Sequence, residues 1–162
     1  MLVIPYQRQR AVAYAQRWAL SRNPAYYSFN EIGGDCTNFI SQCVYAGAGV
    51  MNPTPDTGWY YYGVNDRSAA WTSVSYFYRF MTTNTGIGPY VTLVDRSQLE
   101  PGDVIQLGRE NGEFYHSLLV LERTQTEIYI ASHSQDSLYR PLSSYDYAQA
   151  RYLHFPGVRI YG

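Results

Sequence analysis

The chain changes character near its middle, and this change constrains the fold more than any other feature of the sequence. Before it, apolar residues recur at helical spacing in the segments 7–21, 36–46 and 69–81. After it come short β-prone runs separated by turn residues, at 90–94, 103–107, 114–122, 127–132 and 152–155. Helices followed by a meandering antiparallel sheet indicate an α+β fold. With 162 residues, the chain is predicted to form a single domain over residues 1–162.

Composition excludes several classes of protein. Hydrophobic residues make up 46% of the chain and charged residues 15%, which argues against wholesale disorder. The formal net charge of −1 leaves no basic excess for phosphates, so nucleic acid is not an expected partner. No apolar stretch approaches the length of a membrane span, and the apolar run at 1–5 is too short for a signal peptide. The compartment stays open, because an excised domain of an envelope or extracellular protein would look the same. The oligomeric state is equally unspecified.

The two cysteines are predicted to be free and to differ in role. Cys36 and Cys43 lie on one predicted helix, where seven positions separate their Cα atoms by about 10 Å, too far for a disulfide. Cys36 follows Gly33-Gly34 and falls in the first turn of that helix. Free N–H groups and the helix dipole there favour a thiolate, so we expect a lowered pKa and a nucleophile. Cys43 has apolar neighbours and is predicted to be a buried packing residue.

A nucleophilic cysteine needs an imidazole to hold and deliver its proton. His116 opens the apolar run 118–121, an unusual place for a residue with a merely packing role. A hairpin turning at 123–126 would pair residue 116 with residue 133, so His133 is expected to orient the His116 ring. His154 lies in a separate strand without such a partner. A zinc site built from the cysteine and these histidines lacks C-x-x-C or H-x-x-x-H spacing, so neither a metal nor another cofactor is predicted.

Two motifs carry a resemblance to a known family. The segment 35–42 reads Asp-Cys-Thr-Asn-Phe-Ile-Ser-Gln, and a Pro-Gly-Asp turn at 101–103 precedes His116-Ser117-Leu118. They resemble the signature of the bacterial putative amidase domain family, a branch of the papain-like superfamily related to CHAP and NlpC-type cell-wall hydrolases. Weaker similarity extends over 14–19, 43–49, 59–61 and 133–136. The pieces together are spread over most of the chain.

The resemblance implies a papain-like cysteine hydrolase fold, with N-terminal helices packed on a C-terminal antiparallel sheet. It implies Cys36 as nucleophile and His116 as base. Relatives place a polar residue on the strand that follows the histidine strand. His133 fits that position, and Asp136 is the competing candidate for the third catalytic residue.

The oxyanion hole is also implied by the resemblance. The backbone N–H of Cys36 is the expected donor. A side chain from the upstream loop often adds a second donor, and Asn30 suits this role, with Tyr26 or Tyr27 as alternatives. Asp35, directly before the cysteine, is interpreted as a cap or a helix-face contact rather than a catalyst.

These expectations predict a hydrolase that cleaves an amide or peptide bond through an acyl-thiol intermediate. Peptidoglycan peptides are the expected substrate class by analogy with the relatives. Two alternatives stay open. One is an acyltransferase or transpeptidase that uses the same Cys-His pair. The other is a non-catalytic wall-binding module in which some of the 18 tyrosines line a groove.

Overall fold

The computed structural model describes the whole chain, residues 1–162, as an α+β domain with four α-helices and nine β-strands. The helices are α1 (Arg8–Trp18), α2 (Cys36–Ala48), α3 (Ala69–Thr72) and α4 (Val74–Thr83). The strands are β1 (Leu2–Ile4), β2 (Tyr61–Gly63), β3 (Asp66–Arg67), β4 (Gly88–Leu93), β5 (Val104–Gly108), β6 (Phe114–Arg123), β7 (Ile128–Ser132), β8 (Ser137–Pro141) and β9 (Gln149–Ile160). None of the helices combines the length and apolar character that crossing a membrane requires.

Seven of the strands form one antiparallel sheet. Its order is β1-β9-β5-β6-β7-β8, with β4 also paired to β9, while β2 and β3 form a separate hairpin. The run from β5 to β8 is a meander in which each strand pairs with the next. Helices that precede a largely antiparallel sheet confirm the predicted α+β class.

Both faces of the sheet are covered, and β6 shows how. Its side chains alternate between faces, as the pleat requires. Leu119 and Leu121 join the large core cluster that also includes α1, α2 and α4. Leu118 and Val120 point the other way, into a smaller cluster with residues of β5 and β7. Burial on both sides explains why this strand is a continuous apolar run in the sequence.

The predicted elements differ from the observed ones in places where tertiary pairing decides the structure. The single helix predicted over 69–81 is interrupted at Ser73, whose extended backbone lets its hydroxyl cap α4 by accepting from the Tyr76 amide. Strands β1, β2, β3 and β8 were not predicted. The three-residue β1 is held by its pairing with β9, which is itself much longer than the predicted run.

The predicted pairing of residue 116 with residue 133 is wrong by one position. The β6–β7 ladder pairs Leu119 with Ala131 and Val120 with Ile130, and an irregularity follows before Glu122 pairs with Tyr129. The turn lies one residue further along than predicted, because Arg123 pairs with Ile128 and the Thr124 amide donates to the Glu127 carbonyl. That alone would move the pairing by two positions, and the residue that the irregularity adds to β6 moves it back by one. Extending the regular part of the ladder brings residue 117, not residue 116, level with residue 133.

Candidate active site

Cys36 is the first residue of α2, as predicted. Gly33 and Gly34 have φ angles of 79° and 98°, a left-handed conformation that glycine adopts without strain, and Asp35 is the N-cap. This abrupt entry aims the start of α2 at the sheet, where α2 packs on β6. Cys36 is 9% exposed, whereas Cys43 is fully buried, and both thiols are free as predicted.

Cys36 opens into a cleft of about 820 Å³ between the start of α2, the start of β6 and the segments around β8. The side chains that line this cleft include Cys36, Asn30, His116, Asp136, Arg140 and Tyr145. Four of these six were predicted site residues. His133 is absent from the lining. No group of three or more histidine, cysteine or acidic side chains converges as a set of metal ligands.

Ser117, which follows His116 on β6, joins that strand to the residue after Cys36. The Ser117 hydroxyl lies 3.0 Å from the Thr37 hydroxyl. Ser117 and Thr37 are both buried, so this hydrogen bond is shielded from water. The first turn of α2 and the start of β6 are therefore joined directly beside the cysteine.

Cys36 and His116 share the cleft without a hydrogen bond between them. The side-chain partner of the thiol is the Thr37 hydroxyl at 3.7 Å. The ring nitrogens of His116 have no partner, yet neither is sealed from solvent. The Tyr145 ring lies beside His116, with 5.7 Å between ring centroids. The His116 ring is therefore free to meet a group that enters the cleft, and catalytic hydrogen bonds often tighten only when substrate binds.

The electrostatics differ from the expectation that Cys36 would be a thiolate. Burial raises the pKa of the Cys36 thiol, although hydrogen bonds from Ser117 and Thr37 oppose the increase. The predicted lowering by the helix start is therefore wrong, because desolvation outweighs the local N–H groups. Burial, and then the charge of Arg140, lower the pKa of His116 to about 4. At neutral pH the cleft holds a neutral thiol and a neutral imidazole.

His133 is buried away from the cleft and does not contact His116. Its Nδ1 lies 2.6 Å from an Asp35 carboxylate oxygen, and its Nε2 lies 2.8 Å from the Trp18 carbonyl at the end of α1. The ring stacks on Phe39 of α2, with 3.9 Å between centroids. Both nitrogens are occupied, so the expected orienting contact with His116 is absent. The shifted register of β6 and β7 is the physical reason.

Asp35 connects three parts of the chain. Its carboxylate binds His133 and accepts from the Phe29 amide at 2.8 Å and from the Asn38 side chain at 2.9 Å. Burial alone would raise its pKa, but the hydrogen bonds from His133, Asn38 and Phe29 outweigh it, and the pKa of Asp35 is lowered. The contact with Asn38 confirms the predicted helix-face role. The carboxylate does not cap α2 itself.

Asp136 and Asn30 meet through Arg22. The Arg22 guanidinium binds both oxygens of Asp136, at 2.7 and 2.9 Å, and donates to the Asn30 side-chain oxygen at 2.9 Å. Asp136 therefore binds Arg22 and makes no hydrogen bond with His116. The Asn30 amide nitrogen makes no hydrogen bond, which leaves a donor in the cleft lining. Tyr26 and Tyr27, the alternative donors, lie outside that lining, and Tyr26 packs on core aromatic rings.

Some residues of the site were not singled out from the sequence. Thr37 and Ser117 directly follow the two predicted catalytic residues, and that adjacency is the signal that could have found them. Arg140 and Tyr145 enter the cleft from β8 and the segment after it, where no strand was predicted. Nothing in the local sequence marks either of them as a cleft residue.

The fold is α+β, and a cysteine and a histidine side chain line one open cleft in it. Residues 5–155 match the family model described as "Putative amidase domain". The chain belongs to this family. No solved structure matches the chain.

Two relatives come from Bacillus subtilis (strain 168). "Uncharacterized protein YhbB" is 36% identical over 122 residues, which cover 73% of this chain and 38% of that protein. "Uncharacterized protein YjcM" is 27% identical over 144 residues, which cover 84% of this chain and 32% of that protein. The chain thus spans less than two fifths of the length of either relative.

Proposed function

We propose that the protein is a cysteine-dependent hydrolase of the papain-like type, in which Cys36 attacks an amide carbonyl and His116 is the base. The observation that supports this most is that Cys36 and His116 line one cleft, where the start of α2 and the start of β6 are joined by the Thr37 and Ser117 hydroxyls at 3.0 Å. Acyl-thiol chemistry requires a thiol and a base in one site. Here the thiol lies at the start of a helix that packs on the antiparallel sheet, and an imidazole without a hydrogen-bond partner lines the same cleft. Family membership supports the amide bond as the target.

The reaction begins with both groups neutral. The His116 ring accepts the Cys36 proton as the sulfur attacks the carbonyl carbon, and the carbonyl oxygen becomes an oxyanion. The Cys36 backbone N–H and the Asn30 amide nitrogen are the proposed oxyanion donors. The imidazolium then protonates the departing amine, which leaves a thioester on Cys36. A water molecule, deprotonated by His116, attacks the thioester and releases the acid and the free thiol.

The pKa directions favour proton transfer during attack over a standing thiolate–imidazolium pair. The pKa of Cys36 is raised and that of His116 is lowered, so the ion pair is disfavoured before substrate binds. A neutral imidazole has a free lone pair and can act as a base at once. We assign structural roles to His133 and Asp136, since their contacts are with Asp35 and Arg22 rather than with the base.

Peptidoglycan peptides are proposed through the resemblance to cell-wall hydrolases. A transferase would use the same thioester with an amine in place of water, so added amine should yield transfer product only in that case. A wall-binding module would need no reactive thiol.

The test compares the two cysteines with iodoacetamide and then supplies purified wall fragments, with mass spectrometry as the readout for both. Cys36 should be modified well before Cys43, because Cys43 is fully buried and burial raises its pKa well above the usual value. The rate at Cys36 should rise with pH, because its pKa is raised. Fragments should be cleaved by the wild type and by Cys43→Ala, but not by Cys36→Ala. Equal labelling of both thiols, or cleavage by Cys36→Ala, would refute the assignment.

A further inference from the structure

Arg140 is fixed in the cleft by contacts that leave part of its guanidinium free. Its Nε donates to the Ser144 hydroxyl at 2.7 Å, and its Nη2 donates to the Ser144 carbonyl at 3.1 Å. The group lies 3.6 Å from the centre of the Tyr145 ring. Nη1 makes no hydrogen bond. The side chain is therefore held in one orientation while N–H groups on both terminal nitrogens remain available.

The charge of Arg140 is not neutralised within the cleft. The other cleft arginine, Arg22, is paired with Asp136 at 2.7 Å, and this pairing uses both oxygens of that carboxylate. Asp146 also lines the cleft, but no acidic group forms an ion pair with Arg140. A partly buried guanidinium without a counter-charge is an incomplete site for an anion.

Arg140 is also close to the proposed reaction centre. Tyr145 lies between the two groups, with Arg140 stacked on its ring and His116 at a centroid distance of 5.7 Å. The charge of Arg140 also contributes to the lowered pKa of His116. An anion bound to Arg140 would therefore lie within the same cleft as the bond that Cys36 attacks.

We propose that Arg140 binds a carboxylate of the substrate, so that the preferred substrates are amides or peptides with a free carboxylate close to the scissile bond. This inference rests on the proposed function, because it takes Cys36 and His116 as the reacting pair. A guanidinium with free N–H groups on both terminal nitrogens matches the two oxygens of a carboxylate. The bound carboxylate would also neutralise Arg140 and make His116 a stronger base once substrate is in place.

Iodoacetate and iodoacetamide provide the test, because both alkylate a thiol with the same leaving group and only iodoacetate has a carboxylate. A thiolate repels the anionic reagent, so a preference for iodoacetate requires a nearby cation. We expect the ratio of iodoacetate to iodoacetamide rates at Cys36 to fall roughly tenfold in Arg140→Gln, the loss of one charge-assisted hydrogen bond. The iodoacetamide rate should stay within about twofold of the wild type, since a cation does not steer a neutral reagent.

The matched control is Arg79→Gln, which removes the same charge from an exposed position on α4 outside the cleft. It should leave the ratio unchanged. Arg140→Lys should give an intermediate ratio, because it keeps the charge and loses the planar fork. If Arg140→Gln loses its fold with the Ser144 contacts, the wild type alone still decides: added salt should slow iodoacetate more than iodoacetamide.

Failure of the proposed function and failure of the carboxylate site give different results. If iodoacetamide does not label Cys36 in the wild type, the proposed function is overturned, and this inference with it. If Cys36 is labelled but the ratio is the same in Arg140→Gln, or is insensitive to salt in the wild type, the carboxylate site is overturned and the nucleophile assignment stands. An equal decrease in Arg79→Gln would show a general effect of net charge and would also overturn it.

Discussion

The surroundings of the two histidines His116 and His133 differ in every respect that matters for chemistry. His116 lies at the edge of an open cleft with no hydrogen bond to its ring nitrogens. His133 is stacked on Phe39 with both nitrogens engaged, one by a carboxylate and the other by a backbone carbonyl. Because a base must be able to gain and lose a proton, the ring with free nitrogens is the better candidate. The ring with fixed partners is suited to holding structure.

Arg22 also lies against the His133 ring. Its Nη1 is 3.2 Å from the His133 Nε2, the same nitrogen that lies 2.8 Å from the Trp18 carbonyl. His133 therefore joins the C-terminal end of α1 to Asp35 at the start of α2, and every partner of its ring is part of the fold.

The largest effect that separates the two histidines should be on turnover. His116→Ala should reduce the rate by roughly 10²–10⁴-fold, the usual contribution of a general base. Its free energy of unfolding should change by less than about 2 kcal/mol, because the ring lies at a cleft and makes no hydrogen bonds. Steady-state kinetics on cleavable wall fragments and urea denaturation measure the two quantities. A variant that keeps more than about a tenth of the wild-type rate would rule out His116 as the base.

The second effect should be on stability, and it should belong to the Asp35–His133 pair. His133→Ala removes the shortest contact of the buried Asp35 carboxylate and the stacking on Phe39, so it should destabilise the protein by about 3 kcal/mol. Asp136→Ala is the matched control: its ion pair with Arg22 is partly exposed, and its loss should cost less than about 1 kcal/mol. Urea denaturation of both variants tests this. Similar small losses would show that the pair has no special structural role.

The Asp35–His133 pair should also make the stability of the fold depend on pH. The pKa of Asp35 is lowered in the folded protein, so the unfolded chain takes up its proton more readily and acidification favours unfolding. The contribution is complete above the ordinary carboxyl value of 3.8 and is lost as the pH falls through the lower folded value. Thermal unfolding from pH 7 to pH 3 should therefore show a steeper decrease for the wild type than for Asp35→Asn. Parallel curves would contradict this.

The pH profile of Cys36 alkylation in His133→Ala then tests whether His133 or Asp136 acts on the base. At temperatures where it stays folded, its pH profile for Cys36 alkylation should match the wild type, because the ring does not contact His116. The corresponding Asp136→Ala profile should also be unchanged, since Asp136 binds Arg22. If either variant shifts the profile near neutral pH, that residue acts on the base, and its assignment to a structural role is wrong.

The sequence predicted best the features that depend on local chemistry. Gly33-Gly34 before Cys36 required a sharp entry into a helix, and the helix begins at that cysteine. The polar start of an apolar strand identified His116 as a cleft residue. The pairing of residue 116 with residue 133 was wrong because the hairpin turns at residues 124–127 instead of 123–126, and an irregularity between Val120 and Glu122 recovers only half of that shift.

Other features depend on burial, which only the folded chain defines. The pKa of Cys36 was expected to be low because the first turn of a helix favours a thiolate. The packing of α2 on β6 removes water from the same thiol and reverses the direction. Arg140 was not found because β8 has no alternating pattern, and Tyr139 within it adopts a left-handed backbone with φ 56°. A residue in such a strand is placed by its neighbours rather than by periodicity.

The smallest expected effect concerns the contact between Thr37 and Ser117, which joins α2 to β6 beside Cys36. It tests whether this contact influences the thiol independently of the Asp35–His133 pair. The Thr37 hydroxyl contacts both the Cys36 thiol and the Ser117 hydroxyl, and it lowers the pKa of that thiol. Thr37→Val keeps the shape of the side chain and removes these hydrogen bonds, so the pKa of Cys36 should rise further. Alkylation at a fixed pH near 8 should slow a few-fold, and unfolding should become easier by about 1 kcal/mol.

The pH–rate profile of iodoacetamide labelling measures that change, because a raised pKa moves the whole profile towards higher pH. Thr83→Val is the control, since its hydroxyl bonds only to its own helix on the exposed side of α4. It should leave the profile where it is. His133→Ala should also leave it in place while lowering stability more. The opposite result would be a shifted profile in His133→Ala and an unchanged one in Thr37→Val. In that case the Asp35–His133 pair, rather than the Thr37–Ser117 contact, would set the pKa of the Cys36 thiol, and the contrast between the two histidine sites would not hold.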